Sequence, residues 1–180
     1  MLPPQRLAVL DDVRAITALM QTSIRDNFPR FYDATQVESA VVHVGHLDLD
    51  LVRDGTYFVH EADGEIVACG GWSRRARQYA GDGEHAGDDR LLDPATEPAR
   101  VRAMFVRGDW TRRGLGRAIL EACQDAARAE GFTMLWLMAT LAGEPLYRAF
   151  GFEEIGRGVV TTPDGIDLGV VEMTRPVEPG

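Results

Sequence analysis

Two periods run through the hydrophobic positions of this chain. Residues 7–10 form a short apolar run, and behind Asp11 and Asp12 the apolar positions Val13, Ile16, Leu19 and Met20 recur at helical spacing, so the opening reads as a strand and then an amphipathic helix. Asp33-Ala34-Thr35-Gln36 has the form of a capping box and opens a second helical stretch through Val37, Ala40, Val41 and Val44, within a loosely helical region spanning 24–50. Residues 56–60 and 66–72 are β-rich runs on either side of Asp63-Gly64, the turn dipeptide that matches strand twist, and predict an antiparallel hairpin. Periodicity lapses over 79–98, where Gly81, Gly83, Gly87, Pro94 and Pro98 predict a surface loop. Residues 101–106 (strand), 114–130 (helix, stopped by Gly131) and 133–139 (strand) form a unit of the kind that makes a parallel crossover. A short helix over 146–150, a strand from Phe152, the turn Pro163-Asp164-Gly165 and a last alternating strand over 166–174 complete a mixed α/β sheet, without repeats or a linker, in a single domain over 1–180.

Charge narrows the partners. The net charge of -9, from 28 acids against 19 bases, argues against a nucleic-acid partner, which needs clustered Lys and Arg. Cys69 and Cys123 stand in separate apolar segments without metal-type spacing and read as reduced, buried thiols, hence a cytoplasmic protein. The start, Met1 to Arg6, has no apolar signal core, and no stretch is long and apolar enough to span a bilayer, so neither secretion nor membrane insertion is expected.

The chemistry points to the segment from Val106 to Arg117, which leaves a strand and enters a helix. Glycines there let backbone N–H groups approach an anion, and the helix start adds free donors and partial positive charge. Arg112, Arg113 and Arg117 invert the usual preference for acids in a first helical turn, which favours a bound anion. The segment is neither a P-loop nor a dinucleotide fingerprint, since the third glycine position of the latter is Ile119. It resembles the pyrophosphate loop of the GNAT superfamily of N-acetyltransferases, whose usual form is Gln or Arg, two residues, Gly, one residue, then Gly or Ala. Thr111 stands at the leading position and Gly108 where a proline is common. Leu146-Tyr147-Arg148-Ala149-Phe150-Gly151-Phe152 is similar to a later motif of that family, and the order of elements agrees over about residues 5–175.

The resemblance implies a mostly antiparallel sheet whose central parallel strand pair splays, flanked by helices, with the pantetheine arm of acetyl-CoA in the slot. It implies that backbone groups of Phe105 and Val106 hold the thioester end and that Arg112, Arg113, Gly114, Leu115, Gly116 and Arg117 contact the pyrophosphate. The expected reaction is direct attack of a primary amine, on a small molecule or a peptide, with Tyr147 as the acid that protonates the departing thiolate; the other reading of Tyr147 is a ring packed beside Phe150 and Phe152. No carboxylate falls within 101–106, where the family often places a base, so a water relay to a more distant group is expected, and a weakly catalytic acyl-CoA binding or sensing module is the alternative. A homodimer is compatible with this reading.

Other features stay open. His43 and His46 share a helical spacing but lack a third ligand, and with His60 and His85 read as solvated residues, with no metal expected. Ser73-Arg74-Arg75-Ala76-Arg77 reads as a solvated strand end. The acids Asp82, Glu84, Asp88, Asp89, Asp93 and Glu97 either solubilise their loop or draw a cationic amine. Phe28, Phe31 and Tyr32 either line an acceptor pocket or pack in the core.

Overall fold

Asp63 and Gly64 both have positive φ, 52° and 78°, as the hairpin turn requires, and they join β2 (Tyr57–Ala62) to β3 (Glu65–Ser73) as an antiparallel pair. The computed structural model describes residues 1–77 and 89–180. Before the hairpin come β1 (Gln5–Leu7), α1 (Val13–Asn27), α2 (Ala34–His43) and α3 (Leu49–Arg53). After it come β4 (Ala99–Val106), α4 (Leu115–Ala129), β5 (Met134–Thr140), α5 (Glu144–Phe150), β6 (Glu153–Thr161) and β7 (Asp167–Pro176). The strands form one seven-stranded mixed sheet in the order β1-β2-β3-β4-β5-β7-β6, with β4 and β5 its parallel pair.

Two boundaries differ from expectation, each for a local reason. The first strand stops at Leu7 because the Asp12 carboxylate accepts the Val9 N–H at 2.8 Å and the Asp12 N–H returns to the Val9 carbonyl at 2.9 Å, winding residues 10–12 into a 3-10 turn. The loosely helical stretch resolves into α2 and α3. Asp33 and Gln36 form the reciprocal capping box, at 2.8 and 2.9 Å, and Asp48 opens α3 by accepting the Asp50 N–H at 3.0 Å.

Separate apolar cores cover the two faces of the sheet. On one, Ile119, Leu120, Cys123 and Ala127 of α4 pack with Leu135, Leu137 and Trp72. On the other, Ile16, Met20 and Ile24 of α1 and Ala40 and Val41 of α2 pack on Val59, Cys69 and Phe105. Complete burial of an Ile or Leu such as Ile16, Ile119 or Leu120 contributes about 1.5–3 kcal/mol. Both cysteines are free and buried, and burial raises each thiol, Cys69 to about 12.

The predicted surface loop is structured where it is described. Leu92 is buried, its N–H bonds to the Arg74 carbonyl at 2.7 Å, and Arg75 bridges to Leu91. Asp82, Glu84, His85 and Asp88 lie outside the described residues. Asp93 caps the following turn through the N–H of Ala95, and Glu97 takes Arg90 at 2.6 and 2.8 Å. The 73–77 cluster is ion-paired, not a solvated strand end: Arg74 holds Glu130 at 2.6 Å, Arg75 holds Asp54 at 2.7 Å and Arg77 reaches Asp48 at 3.4 Å. Among the described residues no helix is long and apolar enough to cross a membrane.

Candidate active site

The site begins with a strand that cannot stay flat. β4 pairs with β5 only at Ala99 with Leu135 and Arg100 with Trp136, and the two strands then separate. The kink lies at Ala103, whose φ of 53° accompanies a break in the β3–β4 register between Cys69 and Gly71, with an extra residue on β4. Glycines on β3 make room for it. A Cβ on Gly71 would stand 2.4 Å from the Thr56 carbonyl oxygen, and one on Gly70 would stand 2.2 Å from the Met104 sulfur. Tyr57, wholly buried beneath, donates its hydroxyl to the Ala103 carbonyl at 2.6 Å. Burial pushes this phenol well above its ordinary pKa, so it stays a donor. From α1, Ser23 Oγ donates to the Val106 carbonyl at 2.8 Å, with Asn27 Nδ2 at 3.4 Å.

The separated strands open a cleft of about 1540 Å³. Phe105 and Val106 line it, as do Arg112, Gly114, Leu115, Gly116 and Arg117, while Arg113 does not and lies over the Trp110 ring at 4.5 Å. At the start of α4, Arg112 and Gly114 take φ of 61° and 90°, no side chain caps the helix and no acid stands in its first turn. These are the conditions for an anion to take the place of the cap. Leu115 is core, so only its backbone is free to face a ligand. Gly116 has a packing role the sequence did not reveal: a Cβ there would meet Leu146 of α5 at 2.7 Å. Arg117 lies 5.5 Å from the Phe150 ring centre and pairs with Glu121 at 3.1 Å.

Tyr147 is packed in the core and also faces the cleft. Its ring packs edge-on to Phe152 at 5.8 Å and against Gly143, yet the residue lines the cleft, and its hydroxyl has no hydrogen-bond partner among the described residues. Burial raises the phenol's pKa and keeps it protonated. Phe28 and Phe31 also line the cleft. Tyr32 does not; it is a buried stitch, donating to the Gly169 carbonyl at 2.7 Å and accepting the Leu141 N–H at 2.9 Å.

The histidines separate in space. His43 and His46 line the cleft, His43 Nε2 standing 3.6 Å from Asp164, whereas His60 is buried with Nδ1 on the Pro3 carbonyl at 2.8 Å. Among the described residues no three His, Cys, Asp or Glu side chains are grouped as metal ligands. Sequence reasoning missed the cluster of Asp48, Arg77 and Arg102, which all line the cleft: Arg102 reaches Asp48 at 3.0 Å with both side chains about nine-tenths buried. No local motif announces them, because they come from the loop before α3, the segment after β3 and the middle of β4.

Residues 53–154 match the family described as acetyltransferase (GNAT) domain. The [ribosomal protein bS18]-alanine N-acetyltransferase of Escherichia coli K12 is 35% identical over 92 residues, which are 48% of this chain and 59% of that protein. The chain thus spans less than two thirds of that relative's length. Its backbone is similar to a GCN5-related N-acetyltransferase from Rhodopseudomonas palustris, with a TM-score of 0.75 at 18% identity, covering 98% of this chain and 96% of the other. It is also similar to the PaiA N-acetyltransferase of Thermoplasma acidophilum in complex with coenzyme A, with a TM-score of 0.62 at 12% identity, covering 96% and 98%. A family match over more than half the chain, carried on this fold, makes the protein a member of the GNAT acetyltransferases, enzymes that use acetyl-CoA.

Proposed function

We propose that the protein transfers the acetyl group of acetyl-CoA to a primary amine, on a small molecule or a peptide, by direct attack. The observation that carries this is a single cleft running from the uncapped, arginine-bearing start of α4, past Tyr147, to the parting of β4 and β5. The free N–H groups at the start of α4, with Arg112 and Arg117, receive the pyrophosphate. The unpaired edge of β4 beyond Arg100 receives the pantetheine arm, as an added strand would be received.

In the reaction the amine nitrogen bonds to the thioester carbon, the carbon–sulfur bond breaks, Tyr147 gives its proton to the leaving thiolate, and the proton that the acylated nitrogen sheds restores the phenol. A lysine-like amine, with a reference pKa near 10.4, is neutral in roughly one molecule per few thousand at pH 7, so its proton must leave. Water carries it out: β4 has no acid, and Asp48, the one acid among the described lining residues, already accepts from Asp50 N–H, Arg77 and Arg102. The absence of a base from β4 also supports the alternative, a module that binds acyl-CoA with little transfer. Calorimetric titration with acetyl-CoA, with NADH and ATP as controls, tests the binding claim. Thiol release across a panel of amines then separates the enzyme from the binding module.

A further inference from the structure

The protein is strongly acidic, with a net charge of -9, yet the lining of its cleft is not. Among the described lining residues the arginines are Arg30, Arg77, Arg102, Arg112 and Arg117, against the single acid Asp48. Asp48 cannot serve an incoming ammonium. Its Oδ1 takes the Asp50 N–H at 3.0 Å, and its Oδ2 takes Arg102 at 3.0 Å and Arg77 at 3.4 Å.

The arginines, by contrast, have donors to spare. Arg102 makes one hydrogen bond to a described residue, from Nη1 to Asp48, although its side chain is only 10% exposed. Arg77 places Nη1 on Asp48 and Nη2 on Asp50 and Asp89, but its Nε is buried without a partner. A sheltered guanidinium with unused N–H groups is matched by a carboxylate, whose two oxygens fit the fork. Arg102 also directly precedes Ala103, the residue at which β4 turns away from β5. An anion held by Arg102 therefore lies in the same cleft as, and on the same strand three residues before, the Phe105 and Val106 backbone expected to hold the thioester.

We propose that the acceptor is an amine that also carries a carboxylate, of the amino-acid class, and that Arg102, held in place by Asp48 and backed by Arg77, binds that carboxylate. This rests on the proposed acetyl transfer. Of the acids that could have drawn a cationic amine, Asp89 is engaged with Arg77 and Glu97 with Arg90.

The test compares free L-amino acids with their carboxamides as acceptors, following thiol release from acetyl-CoA. The expected kcat/KM for the acids exceeds that for the amides by roughly 10- to 100-fold, the range for a hydrogen bond to a charged group. Arg102→Gln removes most of this preference, chiefly by raising the acceptor's KM, while the acetyl-CoA Kd is unchanged. Arg102→Lys, which keeps the charge and loses the fork, restores it in part. Aspartyl peptides with an amidated C-terminus distinguish a side-chain carboxylate on a peptide from the carboxylate of a free amino acid. Equal use of acids and amides by the wild-type protein overturns the proposal, as does a preference that survives in a folded Arg102→Gln variant. If neither variant folds, the wild-type comparison decides. Failure of the underlying function has a different signature, no acetyl-CoA binding and no thiol release with any amine; calorimetry of the acids and amides with the protein alone then reads the subsite directly, and equal or absent binding of the acids overturns it.

Discussion

The Tyr57 hydroxyl reaches the Ala103 carbonyl at 2.6 Å, tying the hairpin strand β2 to the kink in β4 across the intervening β3. The bond holds open a backbone shape that Ala103, at φ 53°, adopts at a cost. Tyr57→Phe keeps the ring in the core and deletes the bond. The expected result is a loss of about 1 kcal/mol in denaturant unfolding, together with weaker acetyl-CoA binding by calorimetry. Unaltered cofactor affinity in a folded variant would show that the kink holds itself.

Tyr147→Phe should lower kcat by roughly 10²- to 10⁴-fold, the usual contribution of a positioned acid or base, with little change in acetyl-CoA affinity. Because burial raises the phenol, the wild-type pH–rate profile should carry no falling limb from Tyr147 below pH 10, its ordinary value. A rising limb between neutral and alkaline pH belongs to the acceptor amine instead. Unchanged turnover in the variant removes Tyr147 from the chemistry and leaves it a packing residue.

At the start of α4, Gly114→Glu places a negative charge where an anion is expected and a side chain where φ is 90°; cofactor binding should be lost. Arg112→Ala is the milder probe, because Arg112 is exposed and has no ion-pair partner among the described residues. It should weaken acetyl-CoA binding and flatten the dependence of Kd on salt. Retained affinity in both variants would reject the pyrophosphate assignment.

The acid limb of stability offers a test away from the cleft. Arg90 and the Asp93 N–H pull Glu97 down to about 2, from an ordinary value near 4.5. A carboxylate lowered on folding stabilises the protein above its unfolded pKa, and that stabilisation is lost as pH falls toward the folded value. Glu97→Gln should therefore reduce stability at neutral pH and make the decline between about pH 4.5 and 2 shallower, as read by thermal melts across that range.

The helices and the hairpin were legible because their signals are local: a capping box, a turn dipeptide, apolar spacing. The segment proposed to receive the pyrophosphate was legible for the same reason, since it lies within one stretch that leaves a strand and enters a helix. The cluster proposed to bind the acceptor was not. Arg102 looks like an alternating polar residue in a strand, Asp48 like a cap, and Arg77 like one of several surface arginines; only the sheet brings them together. Nor did Gly70 and Gly71 declare their purpose, because the crowding they avoid comes from Met104 and Tyr57, distant in sequence.

The two cores on opposite faces of the sheet make it a partition. The face covered by α4 carries the helix start proposed to receive the pyrophosphate, and the core on the face covered by α1 and α2 includes Phe28, which also lines the cleft. Since each face packs largely within itself, α2 is free to diverge, or to be exchanged for a helix of another sequence, while the far side keeps its dimensions and α1 stays tied to β4 through Ser23 and Asn27. New acceptors become reachable in this chain by rebuilding one wall of the room, with the other wall and the cofactor left standing.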